Sequence, residues 1–264
     1  MSDFETPEHQ KLAFFDVNCR LGPSDFSVPG SPTSVPALFE EMDRLGIGEA
    51  LVFHANASGY APAAGNQELV QALRGQSRLS GCWIVLPHHT GEMAAPRDLV
   101  REALSEGIRT VRLLPRLHRF SLAEWSADEL LGQLEEHRIP VLLDFGRTHW
   151  AEDVVDYGQV TRICATFPAL PLVLMREGIA SLRYLYPLLE RFANLHLDIS
   201  YFQASGGLAD VTRRFGARRL LFGTGLPEYS GGPAVAMLCY ADLSIEDKRR
   251  IAGDNLRDLL SGVQ

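Results

Sequence analysis

The chain has 264 residues, 46% hydrophobic and 22% charged, the composition of a packed globular protein, and this argues against a disordered or low-complexity chain. The formal net charge of −8 argues against nucleic acid or an anionic membrane surface as the main partner, while leaving room for a local basic pocket. The four cysteines, Cys19, Cys82, Cys164 and Cys239, are widely separated and form no CxxC pair, so they read as reduced, buried thiols. The first ten residues, MSDFETPEHQ, have neither the basic start nor the apolar run of a signal peptide, and no apolar run reaches the length of a membrane span. A cytoplasmic protein is expected.

In chain order, Leu12–Val17 reads as a buried strand, and Gly22–Pro32 as a loop rich in Pro, Gly and Ser. A helix is expected from Ser34-Val35-Pro36, with Leu38, Phe39, Met42 and Leu45 on one face and Gly46 as its stop. Ala50–His54 is the next strand, followed by a helix capped by Asn66 and ending at Gly75. Cys82–Leu86, Thr110–Leu114, Pro140–Phe145, Leu172–Met175, Leu195–Ser200 and Leu220–Phe222 continue the strands. Helices are expected between them at Pro96–Glu106, from a capping box at Ser126 through Leu134, and at Val154–Phe167, Ser181–Phe192 and Leu208–Phe215. After the last strand come a loop rich in Pro and Gly and two or three closing helices.

Eight short apolar strands alternating with amphipathic helices imply parallel pairing through right-handed crossovers. They close most naturally as a single (β/α)8 TIM barrel spanning residues 1–264, with the extra helices at its C-terminus. The competing doubly wound open sheet would be marked by a GxGxxG after the first strand, and none is present.

Particular segments carry a family likeness. Asp16-Val17-Asn18-Cys19-Arg20-Leu21-Gly22 resembles the D-x-H-x-H-x-G opening of the amidohydrolase-related (amidohydrolase-2) family, and Arg219–Pro227 (RLLFGTGLP) resembles its R-L-L-F-G-S-D-x-P segment. The tail from Ile245 to Leu260 is similar to its closing G-x-N-A-x-R-L-L pattern, and Pro140–Asp144 and Leu172–Gly178 to its fifth and sixth strands. The resemblance implies a TIM barrel and, typically, metal-assisted hydrolysis or decarboxylation of small carboxylated or cyclic substrates. It also shows where this sequence departs. The two first-strand histidines are Asn18 and Arg20, the fifth-strand histidine is Asp144, the sixth-strand histidine is Arg176, and the eighth-strand aspartate is Gly225. Arginine does not ligate a cation, and one carboxylate does not hold a zinc. No metal site and no cofactor are therefore carried over.

Strand C-terminal ends face the mouth of such a barrel. They supply Asn18, Arg20, His54, Asn56, Arg112, Asp144, Arg176, Glu177, Ser200, Tyr201 and Thr224. Arg20, Arg112 and Arg176, with Asn18 and Tyr201, form a candidate site for a small anionic molecule, because guanidinium forks match carboxylate or phosphate. The same arginines can instead pair with Asp144, Glu177 and Asp198. Asp144 reads as an ionised clamp or nucleophile beside arginines, or as a base if it is desolvated without them. His54 is a candidate base or a hydrogen-bonded structural residue, as is His149. The adjacent His88 and His89 do not share a face on an extended chain and are not read as a metal pair. The loop from Glu228 to Gly232 is either a lid or an ordinary connection.

Three functions remain open at this point. The first is a metal-independent hydrolase or C–C lyase acting on a small carboxylated substrate, with Asp144 or His54 as the acid or base. The second is a non-catalytic anion-binding module, or a partner subunit of an active paralogue or homo-oligomer. The third is an unusual metal site built from Asp16, Asp144, Glu177 or Asp198, a donor set that favours magnesium or manganese.

Overall fold

The computed structural model describes residues 12–23, 30–59, 61–146, 155–202 and 205–264. Its strands are β1 (Phe14–Leu21), β2 (Ile47–His54), β3 (Leu79–Gly81), β4 (Trp83–Ile84), β5 (Val111–Leu113), β6 (Val141–Leu143), β7 (Leu172–Leu174), β8 (Leu195–Asp198) and β9 (Leu220–Leu221). They pair in parallel as β1-β2-β3 and β4-β5-β6-β7-β8-β9. β3 and β4 are two halves of one barrel strand. Between them the Cys82 N–H donates to Val52 O at 2.8 Å, whereas the Trp83 N–H turns the other way and donates to Thr110 O at 3.1 Å. The first and last strands meet through Val17 N–H to Phe222 O (2.9 Å), Gly225 N–H to Asn18 O (3.0 Å) and Arg20 N–H to Leu226 O (2.9 Å). These bonds close the expected (β/α)8 barrel.

Alternation along each strand sorts the side chains into two apolar layers. Phe15, Val17, Leu51, Phe53, Ile84, Leu142, Val173 and Leu221 pack inside the barrel, while Phe14, Val52, Val111, Leu143, Leu174 and Leu220 pack outward against the helices. Leu256, with Leu259 and Leu260 from the last helix, joins the inner cluster.

The closing segment, residues 245–260, has a physical role in this arrangement. A Cβ at Gly253 would sit 2.4 Å from Ala13 O, so only glycine lets the helix come this close to the start of β1. The Asn255 amide donates to Ala217 O and Leu220 O at 2.9 and 2.8 Å, and Phe222 N–H reaches Ile251 O at 3.0 Å. Residues 250–254 form a π-helical turn at that junction. The segment ties the last strand to the barrel floor.

Most elements lie where the periodicity puts them, and two caps do not. The helix expected to begin at Asn66 runs from Pro62 to Leu73, and Asn66 is buried within it. Its amide bridges the backbone of Ile84, donating to the carbonyl at 2.8 Å and accepting from the N–H at 3.0 Å. The helix expected to start at the Ser126 capping box begins at Glu124, and its N-terminus has no side-chain cap. In the first case a tertiary partner replaced the local one. The helix expected at Val154–Phe167 is observed at Tyr157–Thr166, capped by Asp156.

Candidate functional site

The inner face of β5 carries Arg112 between Val111 and Leu113, and its guanidinium fills the top of the barrel core at 1% exposure. Such a burial requires neutralisation. Asp144, two residues beyond inward Leu142, provides it. Arg112 Nε donates to Asp144 Oδ2 at 3.0 Å, Nη2 donates to the same oxygen, and Nη1 reaches Asn18 Oδ1 at 3.0 Å. The Phe53 ring covers the guanidinium, with the Arg112 Cζ 4.4 Å from the ring centroid, a cation–π contact. The other Asp144 oxygen accepts from Gly146 N–H at 2.8 Å. Burial alone would raise the Asp144 pKa, but Arg112 and Arg176 outweigh it and hold the carboxyl below the usual carboxylate value. Asp144 is an ionised clamp and has no proton to donate near neutrality.

Above this floor stand two more arginines. β1 carries a register shift between Asp16 and Cys19, after which Arg20 pairs with inward-facing Phe53 and so turns into the mouth. Arg176 follows β7 with a φ of +62°, a left-handed conformation uncommon for a residue with a side chain. Val173 in β7 and Met175 just after it face inward, so strand alternation alone would not place Arg176 here. Its Nε lies 3.3 Å from Asp144 Oδ2. Arg20 and Arg176 converge on one carboxylate, that of Glu228: Arg20 Nη1 donates to Oε1 at 2.7 Å and Arg176 Nη1 to Oε2 at 3.4 Å. The Tyr201 ring meets Tyr229 edge-on, with centroids 4.9 Å apart, and burial raises its phenol pKa.

The remaining carboxylates are committed to the frame. Asp16 accepts from Asn18 N–H (2.9 Å), Thr224 N–H (3.0 Å), the Cys19 thiol (3.0 Å) and the Thr224 hydroxyl, clamping β1 to the segment after β9. Asp198 accepts from Ser200 N–H (2.9 Å), the Ser200 hydroxyl (2.5 Å), the Asn18 amide (3.3 Å) and Arg176 N–H (3.3 Å). Glu177 is buried and accepts from the Tyr157 hydroxyl at 2.9 Å. Burial raises the pKa of all three.

The structure thus brings together Asn18, Arg20, Arg112, Asp144 and Arg176, with Tyr201 at the rim. It does not bring in His54. That residue pairs with Leu21, an outer-layer side chain, so the alternation that turns Phe53 inward turns His54 away. Its Nδ1 accepts from Asn56 N–H at 3.3 Å and lies 3.3 Å from Glu68, and its burial lowers its pKa. Of the two sequence readings of His54, the facing of its side chain and its hydrogen bond favour the structural residue. His88 and His89 lie in a short 3-10 turn after β4, and His149 falls outside the described residues. The residue missed by sequence reasoning is Glu228. A usable signal existed: two mouth arginines beyond Arg112 call for more than one inward carboxylate, and Glu228 follows the segment that closes the barrel.

The family likeness implies a divalent metal at the mouth, and the donor set present does not fit one. Among the described residues, no three His, Cys, Asp or Glu side chains are grouped to hold a cation. At the expected ligand positions Asp144 is the one carboxylate, with its oxygens occupied by Arg112, Arg176 and Gly146 N–H, and the Asn18 amide oxygen is taken by Arg112. A dication there would meet guanidinium charge on the sides where imidazoles would be needed. Asp16, Asp198 and Glu177, considered above for a carboxylate-only site, are not grouped as one either.

Comparison with known proteins agrees with the fold and its closing segments. The amidohydrolase family model (Amidohydro_2) matches residues 23–261, and the chain belongs to that family. None of the curated proteins compared with it is similar in sequence. Among solved structures, an uncharacterised TIM-barrel protein from Bordetella bronchiseptica is 19% identical with a TM-score of 0.74, the match covering 95% of this chain and 99% of that one. A 5-carboxyvanillate decarboxylase from Sphingomonas paucimobilis is 14% identical with a TM-score of 0.72, covering 96% and 100%. A 2,6-dihydroxybenzoate decarboxylase from Rhizobium is 14% identical with a TM-score of 0.70, covering 95% and 99%. At such identities the likeness is one of fold. No helix among the described residues is long and apolar enough to cross a membrane.

Proposed function

We propose that this amidohydrolase-family barrel binds a small carboxylated molecule through Arg20 and Arg176 and acts on it, without a metal, as a hydrolase or C–C lyase. The observation that supports this reading most is the seating of one carboxylate, Glu228, between those two guanidiniums at 2.7 and 3.4 Å. The mouth is built to hold a carboxylate, and the arginine forks supply the matching donors. Arg112, Asn18 and Asp144 form the floor beneath the bound molecule, and Tyr201 sits at its edge. Two of the structural relatives are decarboxylases by name, which makes a carboxylated substrate and C–C cleavage the chemistry to test first.

The clamp limits what Asp144 contributes. Held ionised by two arginines, it acts through its negative charge or as a nucleophile and is a poor general acid. Arg112 and Arg176 are fixed charges in a water-poor site and would favour negative charge developing on the substrate.

A second reading is a non-catalytic anion-binding member of the family, either alone or as the partner of an active paralogue or a second copy. One observation favours it: both oxygens of Asp144 already carry hydrogen bonds within the protein.

The test uses metal-stripped protein, with metal content checked by mass spectrometry, incubated with 2,6-dihydroxybenzoate, 5-carboxyvanillate and a panel of small mono- and dicarboxylates. Turnover by metal-free protein that disappears in Asp144→Asn supports the enzyme. Anion binding without turnover, lost in Arg176→Ala, supports the binding module. Stoichiometric zinc retained through purification and required for turnover would overturn the metal-independent reading.

A further inference from the structure

We propose that Glu228 is the gate and specificity determinant of the mouth: its carboxylate is the resident occupant of the anion subsite, and a ligand carboxylate enters by taking its place on Arg20 and Arg176. The inference rests on the carboxylate-binding reading above and deepens it. Both guanidiniums reach Glu228 through Nη1, one to each of its oxygens, the two-sided grip that a ligand carboxylate would receive. The Glu228 side chain is 14% exposed and Arg176 13%, against 2% for Asp144, so Glu228 lies on the solvent side of the ion-pair cluster and Asp144 at its floor.

The backbone around Glu228 decides how the gate can move. Arg20 N–H donates to Leu226 O at 2.9 Å, Gly225 N–H to Asn18 O at 3.0 Å, and Leu226 N–H to Thr224 Oγ1 at 3.1 Å. Glu228 N–H and Tyr229 N–H both donate to Gly225 O, at 3.0 and 3.2 Å. Leu226 is buried, and a Cβ at Gly231 would lie 2.6 Å from the Leu45 side chain. The segment is therefore stitched to β1 at one end and packed against the helix Val35–Leu45 at the other. A swinging lid would break these backbone contacts, whereas rotation of the Glu228 side chain leaves them in place. Of the two sequence readings of this loop, the hydrogen bonds favour an anchored connection that carries a moving side chain.

The exchange of one carboxylate for another preserves the charge around Arg20 and Arg176, so it avoids leaving guanidiniums uncompensated in a half-buried site. A neutral ligand, or a cation, has no such exchange open to it. Selection for anions thus comes from the gate as well as from the arginines. The apparent affinity of any anion is lowered by the fraction of time the subsite is open, and removing the competing carboxylate restores it.

The experiment measures malonate binding by titration calorimetry to the full-length wild type, Glu228→Gln and Arg176→Ala, with circular dichroism confirming that each is folded. With the subsite closed for nine-tenths of the time or more, Glu228→Gln binds malonate about tenfold tighter than wild type, or better. Arg176→Ala loses binding. Equal malonate affinity in wild type and Glu228→Gln, with binding still lost in Arg176→Ala, overturns the gate and leaves the carboxylate site standing. Absence of binding in both the wild type and Glu228→Gln overturns both. Glu228→Ala repeats the comparison without the side-chain amide, and a gain in Glu228→Gln that is missing in Glu228→Ala means that the new amide made the contact, which also overturns the gate.

Discussion

Arg112 and Asp144 form a buried ion pair at the top of the barrel core, with Nε 3.0 Å from Oδ2 and the Phe53 ring against the guanidinium. The pair includes Asp144, which stands where the family resemblance implies a metal ligand, and its charge is met by a guanidinium of the same chain. Removing one member leaves the other charged, buried and deprived of its partner. Asp144→Ala is expected to cost roughly 3–5 kcal/mol in urea or guanidinium unfolding, whereas the double variant Arg112→Met/Asp144→Leu regains most of that loss. A double variant no more stable than the single one would mean that the pair is needed for more than charge compensation.

The pH dependence separates the clamped carboxylate from an unclamped one. Asp144 has a depressed folded-state pKa, so its contribution is complete above the ordinary value of 3.8 and is lost as the pH falls through the folded value. Glu177 has a raised one, chiefly from burial, so wild-type stability falls as the pH rises from its ordinary 4.5 through the folded value. Glu177→Gln cannot ionise. It is expected to melt higher than wild type at pH 8, with the gain shrinking towards pH 4 in a series of thermal scans. A gain constant across that range would show that ionisation is not its origin.

Gly223 marks the tightest point of the wall beneath the mouth. An added Cβ would approach Asp198 Oδ1 to 2.3 Å, and that carboxylate is held in place by Ser200, Asn18 and the Arg176 N–H. Gly223→Ala is expected to destabilise the fold by about 1–3 kcal/mol and to weaken malonate binding, because the displaced Asp198 no longer positions Arg176. Calorimetric titration together with denaturant unfolding checks both effects.

Zinc offers a direct test of the donor set. A ligand that binds the native state raises the melting temperature by mass action. With Asp144 held by arginines, adding zinc or manganese to chelator-treated protein is expected to leave the melting temperature unchanged. A rise that saturates at one equivalent would show that the arginines move aside for a cation.

The sequence by itself determined the barrel. Short apolar strands separated by amphipathic helices leave few ways to bury both faces of a parallel sheet, and in this chain Gly253 and Asn255 tie the closing helices to the backbone of Ala13, Ala217 and Leu220. It also named the arginines and Asp144, because strand ends are legible to within a residue or so. That last residue is what only the tertiary structure decided. A shift of one position reverses the facing of a side chain, and this removed His54 from the mouth. The bulge after Asp16 and the left-handed backbone at Arg176 turned Arg20 and Arg176 towards each other, and neither feature has a local signature in residue type. Glu228 joined them from some 50 residues away in the chain on one side and more than 200 on the other. Long-range charge pairing of this kind depends on where the end of β1 and the segments after β7 and β9 lie in space, and only the folded barrel brings them together.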